Sequence, residues 1–277
     1  MRLMVNGIAL NVETMGEGAP LLLLHGFTGS MENWRPFLPV WQERLRLVLV
    51  DIIGHGRSDA PRDPQRYSVE HAANDIVAVL DKLGIANAHV LGYSMGGRLA
   101  LRLAVDHPER VRTLVLESAS PGLRTSEERR QRSARDEALA RKIEREGLRA
   151  FIRYWENIPL FATQKRLPDD VRQALREQRL RNSVTGLTGS LRGMGTGIQP
   201  SLWKHIEKLN IPTLIMAGEL DGKFCRIAAE MYECLPCSKL CLIPGVGHCI
   251  HIEAPEVFAG KVIRYVRSSD RDVQSSS

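Results

Sequence analysis

The sequence predicts an α/β fold, a mainly parallel sheet covered by helices on both faces. Three observations point there. Short apolar runs of strand length (Leu21–Leu24, Leu45–Asp51, Val90–Leu91, Val111–Glu117, Thr213–Ala217 and Leu240–Ile243) alternate with segments of helical periodicity. The runs are apolar almost throughout, the pattern of strands buried on both faces. Three of them end in Gly-containing loops that carry a Ser, an Asp or a His, and open α/β sheets place their functional groups at the carboxyl ends of strands.

Along the chain, residues 2–15 alternate loosely around Asn6-Gly7, a hairpin signal that predicts an antiparallel edge. Leu21–Leu24 precedes a helix expected over Trp34–Arg44. Leu45–Asp51 precedes a loop and a helix over Val69–Leu83. Val90–Leu91 leads into a helix over 95–106, and Val111–Glu117 follows. After a long interruption come Thr213–Ala217, a helix near 226–235, Leu240–Ile243 and a last helix near 255–267. This organisation predicts one discontinuous core (1–120 and 201–267), a helical lid (121–200) inserted between two strands, and a polar, Ser-rich tail (268–277) expected to be disordered.

Composition bounds the function. At 277 residues with 43% apolar content, the chain suits one globular domain with an insertion. No apolar run approaches the roughly 20 residues that span a bilayer. The N-terminus lacks a charged segment followed by a long apolar one, so no secretory signal is expected. Five cysteines, an odd number, fit a reducing, cytoplasmic setting. Cys234-x-x-Cys237-x-x-x-Cys241 has ligand-like spacing. Cys241 falls inside an expected strand and Cys234 near a helix end, so convergence on a metal is not expected.

The chemistry is concentrated in Gly92-Tyr93-Ser94-Met95-Gly96-Gly97, which reads G-x-S-x-G-G directly after an apolar run. In such a nucleophile elbow the strand turns sharply into a helix with the serine at the bend. A serine hydroxyl is weakly nucleophilic and weakly basic at neutral pH, so the elbow implies a histidine and an acid elsewhere. Leu214–Ala217 leads to Gly218-Glu219-Leu220-Asp221, and Leu240–Ile243 leads to Pro244-Gly245-Val246-Gly247-His248. The order Ser94, Asp221, His248 is that of the α/β-hydrolase fold. In that fold the turn after Leu21–Leu24, here His25-Gly26-Phe27, supplies one oxyanion N–H from Phe27, and Met95 supplies the second. His25 is expected to shape this loop and His55 to sit in a tight turn, while His107 and His251 read as surface or helix-end residues.

Charge is equally uneven. Residues 121–200 hold 15 Arg and 2 Lys against 10 acids, whereas the rest of the chain holds 21 basic and 22 acidic residues. The whole positive excess therefore lies in the predicted lid. Most of these arginines are expected on solvated helix faces beside Glu. A continuous basic stripe with aromatics, as nucleic acid would require, is absent. A lipase lid would be rich in large apolar residues, which this one is not. The remaining reading is that a few arginines face inward toward an acidic substrate, carboxylates being suited to the guanidinium fork. Arg98, four residues after Ser94, shares its helical face and is expected to face the pocket.

With these residues in view, the chain resembles a known family. Gly92–Arg98, Glu117-Ser118-Ala119-Ser120-Pro121-Gly122-Leu123, Arg129–Arg132, Trp155–Phe161, the Arg179–Asn182 stretch, Gly218–Phe224 and Gly247-His248 resemble the 2-succinyl-6-hydroxy-2,4-cyclohexadiene-1-carboxylate synthases of menaquinone biosynthesis. The resemblance covers nearly all of the chain except the polar tail. It implies an α/β-hydrolase fold whose reaction is an elimination. Pyruvate leaves 2-succinyl-5-enolpyruvyl-6-hydroxy-3-cyclohexene-1-carboxylate, and a conjugated diene remains. It further implies no metal or organic cofactor and a small polycarboxylate substrate. The family's substrate-gripping arginines fall on Arg98, Arg132 and Arg179, with Arg124, Arg130 and Arg181 near matched positions. Tyr93 and Trp155 match pocket residues, and Lys223 a motif lysine. Ser94, made basic by His248 and Asp221, would abstract the ring proton beside the succinyl ketone. No nucleic-acid or membrane partner is expected, and the protein is expected to be a monomer or weak homo-oligomer.

Two other functions use the same residues. A serine hydrolase of an acidic ester or a ring-fission ketone would need the same triad. A receptor on this fold would bind an acidic ligand without turning it over. Haloalkane dehalogenase and epoxide hydrolase chemistry is disfavoured, because those elbows carry aspartate where Ser94 stands.

Overall fold

The computed structural model describes the backbone of residues 1–274 and the side chains of residues 1–269. Eight strands form one sheet: β1 (Arg2–Val5), β2 (Ile8–Met15), β3 (Ala19–Leu24), β4 (Leu45–Val50), β5 (Ala88–Tyr93), β6 (Val111–Glu117), β7 (Thr213–Gly218) and β8 (Ser238–Ile243). Their order is β1-β2-β4-β3-β5-β6-β7-β8. β2 runs antiparallel to β1 and β4, and every pairing from β4 to β8 is parallel. Asn6 (φ 44°) and Gly7 (φ 84°) both adopt the positive φ that the predicted tight hairpin turn requires.

The helices are α1 (Leu38–Trp41), α2 (Val69–Lys82), α3 (Met95–Asp106), α4 (Ser126–Trp155), α5 (Asp169–Arg179), α6 (Val184–Met194), α7 (Trp203–Ile206), α8 (Gly222–Cys234), α9 (Ile250–Glu253) and α10 (Pro255–Gln274). The strand period of two splits each central strand between two core layers. Leu22, Leu24, Val48, Val50 and Val90 pack on one face with α2 and α3 residues such as Ile76 and Leu99. Leu21, Leu23, Leu47, Leu49 and Leu91 pack on the other with Trp34, Trp41, Phe258 and Val262.

Between β6 and β7 the chain forms no strand and runs through α4, a 3-10 segment (Pro159–Arg166), α5, α6 and the short α7. α4 breaks at Gly147, whose φ of 78° is outside the helical range. A satellite core joins its two halves to α6 through Ala140, Ile143, Phe151, Ile152, Leu187 and Leu191. Arg192 ties the same elements at the surface, its Nε donating to Glu137 at 2.8 Å and its Nη2 to Glu144 at 3.0 Å.

Three expected boundaries move. The helix expected over Trp34–Arg44 is a 3-10 turn (Met31–Phe37) followed by the four-residue α1, because Pro36 and Pro39 remove backbone donors from its middle. α8 begins at Gly222 rather than near 226, because the Asp221 carboxylate accepts the Phe224 N–H at 3.2 Å and caps the helix. α10 continues past 267 to Gln274, and the Ser268 and Ser269 hydroxyls donate to Tyr265 O at 2.9 and 3.1 Å. Of the expected tail, residues 275–277 lie outside the described residues. No helix among those described is long and apolar enough to cross a membrane.

Candidate active site

β5 ends at Tyr93, and Ser94 turns the chain into α3 with φ 50° and ψ −104°, a strained conformation for a residue with a Cβ. Two bonds hold it: Ser94 N–H donates to Glu117 O at 2.8 Å, and Ser94 O accepts the Arg98 N–H at 3.0 Å. The bend is possible because α3 lies hard against β3; a Cβ on Gly96 would stand 2.2 Å from Leu24 O. The loops after β7 and β8 are pressed together in the same way, since a Cβ on Gly218 would meet Gly247 O at 2.0 Å. That closeness lets Asp221 reach His248. Asp221 Oδ2 lies 2.6 Å from His248 Nδ1, and His248 Nε2 lies 3.1 Å from Ser94 Oγ. A carboxylate only accepts, so Nδ1 carries the proton and Nε2 is left to accept from the serine hydroxyl. Asp221 is 9% exposed and His248 1%, so bulk water does not compete for the bond between them.

The loop after β3 bends at Gly26–Gly29, where the Gly29 N–H donates to Gly26 O at 3.0 Å. That bond leaves the Phe27 N–H outside the turn, and Met95, as the first residue of α3, has an N–H with no intrahelical acceptor. His25 braces the loop from beneath. Its Nε2 accepts the Ile52 N–H at 3.0 Å, so its Nδ1–H donates to Gly26 O at 2.8 Å. Burial holds its pKa down at about 4. His55 packs edge-on against it at 5.2 Å, and burial followed by the neighbouring His25 lowers its pKa to about 3. Both rings are therefore neutral, structural groups.

Above Ser94 and His248 opens a cavity of about 850 Å³, lined by the sheet loops, α4, α6, α8 and the 3-10 segment. Six cations line it: Arg98, Arg124, Arg132, Arg135, Lys223 and Arg226. Arg124 pairs with Glu230 and Arg132 with Asp136, both at 2.8 Å. The other four have no carboxylate partner among the described residues. Arg98 instead donates from Nη1 to Met194 O at 2.8 Å and Gln199 Oε1 at 2.5 Å. Burial, and then the charge of Arg132, lower its pKa to about 10, so it stays protonated at neutral pH. Desolvation against the wall and then Arg132 also pull the Lys223 ammonium down. The wall thus carries mutually repelling cations short of counter-charge, a field that an anionic ligand would relieve.

Residues 19–255 match the family model of the α/β-hydrolase fold. A Bacillus subtilis (strain 168) protein that provisionally bears the name 2-succinyl-6-hydroxy-2,4-cyclohexadiene-1-carboxylate synthase is 46% identical over 93% of this chain and 94% of its own length. The Escherichia coli O1:K1 synthase of that name is 31% identical over 85% of this chain and 88% of its own. The chain belongs to the 2-succinyl-6-hydroxy-2,4-cyclohexadiene-1-carboxylate synthase family. The structure of MenH from S. aureus superposes with a TM-score of 0.90 at 31% identity, covering 94% of this chain and 98% of that one. The protein is thus an enzyme of the synthase family built on the α/β-hydrolase fold.

In this synthase-family chain the residues singled out from sequence fall into two groups. Ser94, His248, Phe27, Met95, Tyr93, Trp155, Arg98, Arg132 and Lys223 all line the cavity. Asp221 stands behind His248. The Trp155 indole N–H has no partner, whereas the Tyr93 hydroxyl is taken by Cys249 Sγ at 2.6 Å. Arg179 is not on the wall. It is buried behind Phe161, with its guanidinium 5.3 Å from that ring and its Nη2 donating to Gln164 Oε1 at 3.2 Å. Of the arginines near matched positions, Arg124 reaches the wall and lies 3.6 Å over the Trp203 ring; Arg130 pairs with Glu127 at the surface, and Arg181 is exposed.

Arg135 and Arg226 escaped the sequence reading although a signal was present. Each lies three residues after a singled-out cation, Arg132 and Lys223, on the same helical face. His251, expected at the surface or at a helix end, lies in the four-residue α9 but is only 2% exposed, and its Nδ1 lies 2.9 Å from both Glu117 oxygens. α9 turns it inward beneath Tyr93, whose ring centroid is 4.6 Å away. All five cysteines are free.

Proposed function

We propose that this chain is a carbon–oxygen lyase that eliminates pyruvate from 2-succinyl-5-enolpyruvyl-6-hydroxy-3-cyclohexene-1-carboxylate, with Ser94, His248 and Asp221 as its proton-abstracting triad. One observation carries the reading: a serine oxygen in contact with an imidazole oriented by Asp221 opens onto a wall of six cations, four of them without a carboxylate partner among the described residues. A substrate with three carboxylates suits that wall, and the names of the relatives point to the same chemistry.

In this reading residues 121–200 are the lid over a core of 1–120 and 201–267. Arg98, Arg132 and Lys223 hold carboxylates from the roof and sides of the cavity. Arg135 and Arg226 add to the positive field, and Arg179 acts from behind Phe161. Tyr93 and Trp155 flank the ring. Ser94 Oγ gives its proton to His248 Nε2 and takes the proton beside the succinyl ketone; Asp221 stabilises the imidazolium that results. Charge developing on the ketone oxygen is met by the Phe27 and Met95 N–H groups. The electron pair left on the ring carbon forms a new double bond to its neighbour, the existing ring double bond shifts one position along, and the ring C–O bond breaks. The departing enolate of pyruvate takes up a proton at carbon, and His248 gives up the one it received. No step draws on a metal or organic cofactor, and the enzyme works as a cytoplasmic protein on a small acid.

A serine hydrolase of acidic esters would use the same triad to form an acyl-enzyme. Incubating the purified protein with the enolpyruvyl substrate and following pyruvate separates the two. Stoichiometric pyruvate with the diene product is expected. Rapid cleavage of small esters without pyruvate would replace this reading with the hydrolase.

A further inference from the structure

The Gly26–Gly29 turn contains a conformational conflict. Thr28 occupies its third position with φ 67°. Turns with positive φ there take Gly or Asn, and a β-branched side chain is disfavoured at that angle. Such a conformation persists only where surrounding groups over-determine it. His25 secures the first half of the turn through Gly26 O. The second half is secured from the helical insertion. Asn182, between α5 and α6 and 7% exposed, donates from Nδ2 to Thr28 O at 2.8 Å and accepts the Gly56 N–H at Oδ1 at 3.2 Å. One turn earlier, Gln178 Nε2 donates to Ser30 Oγ at 3.1 Å and Asn33 Oδ1 at 2.7 Å. The insertion is thus hydrogen-bonded to the loop that carries Phe27.

We propose that Asn182 is a positioning residue of the oxyanion loop: its bond to Thr28 O holds the strained turn in the form that turns the Phe27 N–H toward the Ser94 pocket. The inference rests on the reading of Phe27 as an oxyanion donor, which the elimination and ester cleavage share. Without the bond, Thr28 relaxes to negative φ and the Phe27 peptide shifts. Donors work only within about 2.7–3.1 Å of the developing charge, so the loss falls on the reacting state rather than on substrate binding.

The test is a double-mutant cycle between Asn182 and Thr28. Asn182→Asp keeps volume and can still accept from Gly56 N–H, but it can donate neither to Thr28 O nor to Arg179 O, which Nδ2 also meets at 3.1 Å; Asn182→Ala removes all three bonds. Each should lower kcat by about 10- to 100-fold with KM within about twofold. Glycine takes φ 67° without penalty, so in a Thr28→Gly background the same substitutions should cost at most about threefold relative to Thr28→Gly alone. Equal losses in both backgrounds, or undiminished kcat in both Asn182 variants, overturn the proposal. The cycle is read on pyruvate release and on p-nitrophenyl acetate hydrolysis. A wild-type protein that cleaves the ester but releases no pyruvate overturns the lyase reading and leaves the Asn182 cycle readable. Wild-type inactivity on both removes the oxyanion reading and this proposal with it.

Discussion

Asp221 serves two elements at once: its Oδ2 holds His248 Nδ1 at 2.6 Å, and its Oδ1 accepts the Phe224 N–H at 3.2 Å, capping α8. One carboxylate therefore fixes the imidazole and starts the helix that carries Lys223 and Arg226. The two roles separate in Asp221→Asn. Asparagine caps helices about as well as aspartate, so Tm should change by no more than a few degrees. It cannot stabilise an imidazolium or enforce the Nδ1–H tautomer, so kcat should fall by about 10²- to 10⁴-fold. Asp221→Ala should lose the same activity and about 1 kcal/mol of stability in addition. Urea denaturation beside steady-state pyruvate release checks both. An active Asp221→Asn enzyme would remove Asp221 from the mechanism.

Ser94 combines a strained backbone with the contact to His248 Nε2. Its φ of 50° is shared with no ordinary strand or helix position. Ser94→Ala retains the Cβ and the strain, so stability should stay close to wild type while turnover falls by orders of magnitude and substrate still binds. Ser94→Gly should abolish turnover equally but raise stability by about 1 kcal/mol, because glycine reaches this conformation without penalty. Isothermal titration with substrate and chemical denaturation of the three proteins distinguish these outcomes. Full activity in Ser94→Ala would refute proton abstraction by the serine.

The meeting of Ser94, His248 and Asp221 is legible in the sequence because each member closes a local pattern. The elbow needs small residues at 92 and 96 beside Ser94, and the acid and histidine loops each follow an unbroken apolar strand. Strand existence was legible for the same reason: Leu21–Leu24 is buried on both faces and carries no polar residue to mislead. The direction in which a lid arginine points has no local signature. Arg132 and Arg179 both sit on amphipathic helices, yet one meets the cavity and the other is folded behind Phe161. Arg179 is placed by the docking of α5 and the turn after it against the loop after β3 through Gln178 and Asn182, whose partners lie about 150 residues away in sequence. The burial of His251 has no local signature for a related reason. Its carboxylate partner is Glu117, 134 residues earlier.

Arg98 joins the cavity to the end of α6. If Arg98 holds a substrate carboxylate as proposed, Arg98→Ala should raise KM and lower kcat. It should also destabilise the fold by about 1–3 kcal/mol, since Met194 O and the buried Gln199 Oε1 are left without their donor. Arg98→Lys keeps the charge but not the fork, so it should recover part of the binding and less of the stability. Unchanged kinetics in Arg98→Ala, with only Tm reduced, would assign Arg98 a purely structural role.

The buried histidines beneath the loop after β3 predict a particular acid sensitivity. Burial lowers His25 to about 4 and His55 to about 3, against 6.5 for an exposed imidazole. Below pH 6.5 the unfolded chain takes up protons that the folded chain refuses, so folding stability must fall as pH drops from about 6.5 toward 4. Above that window neither state protonates these rings, and the contribution is fully present. Each histidine adds a slope of up to about 1.4 kcal/mol per pH unit inside the window. His55→Gln removes one titrating ring from the pair, so its stability should fall less steeply than wild type between pH 6 and 4, whatever its stability at pH 7. Urea-derived unfolding free energies at pH 7, 6, 5 and 4 for both proteins give the two slopes directly. Parallel lines would mean that His55 binds its proton equally in the folded and unfolded states, contrary to its burial beside His25.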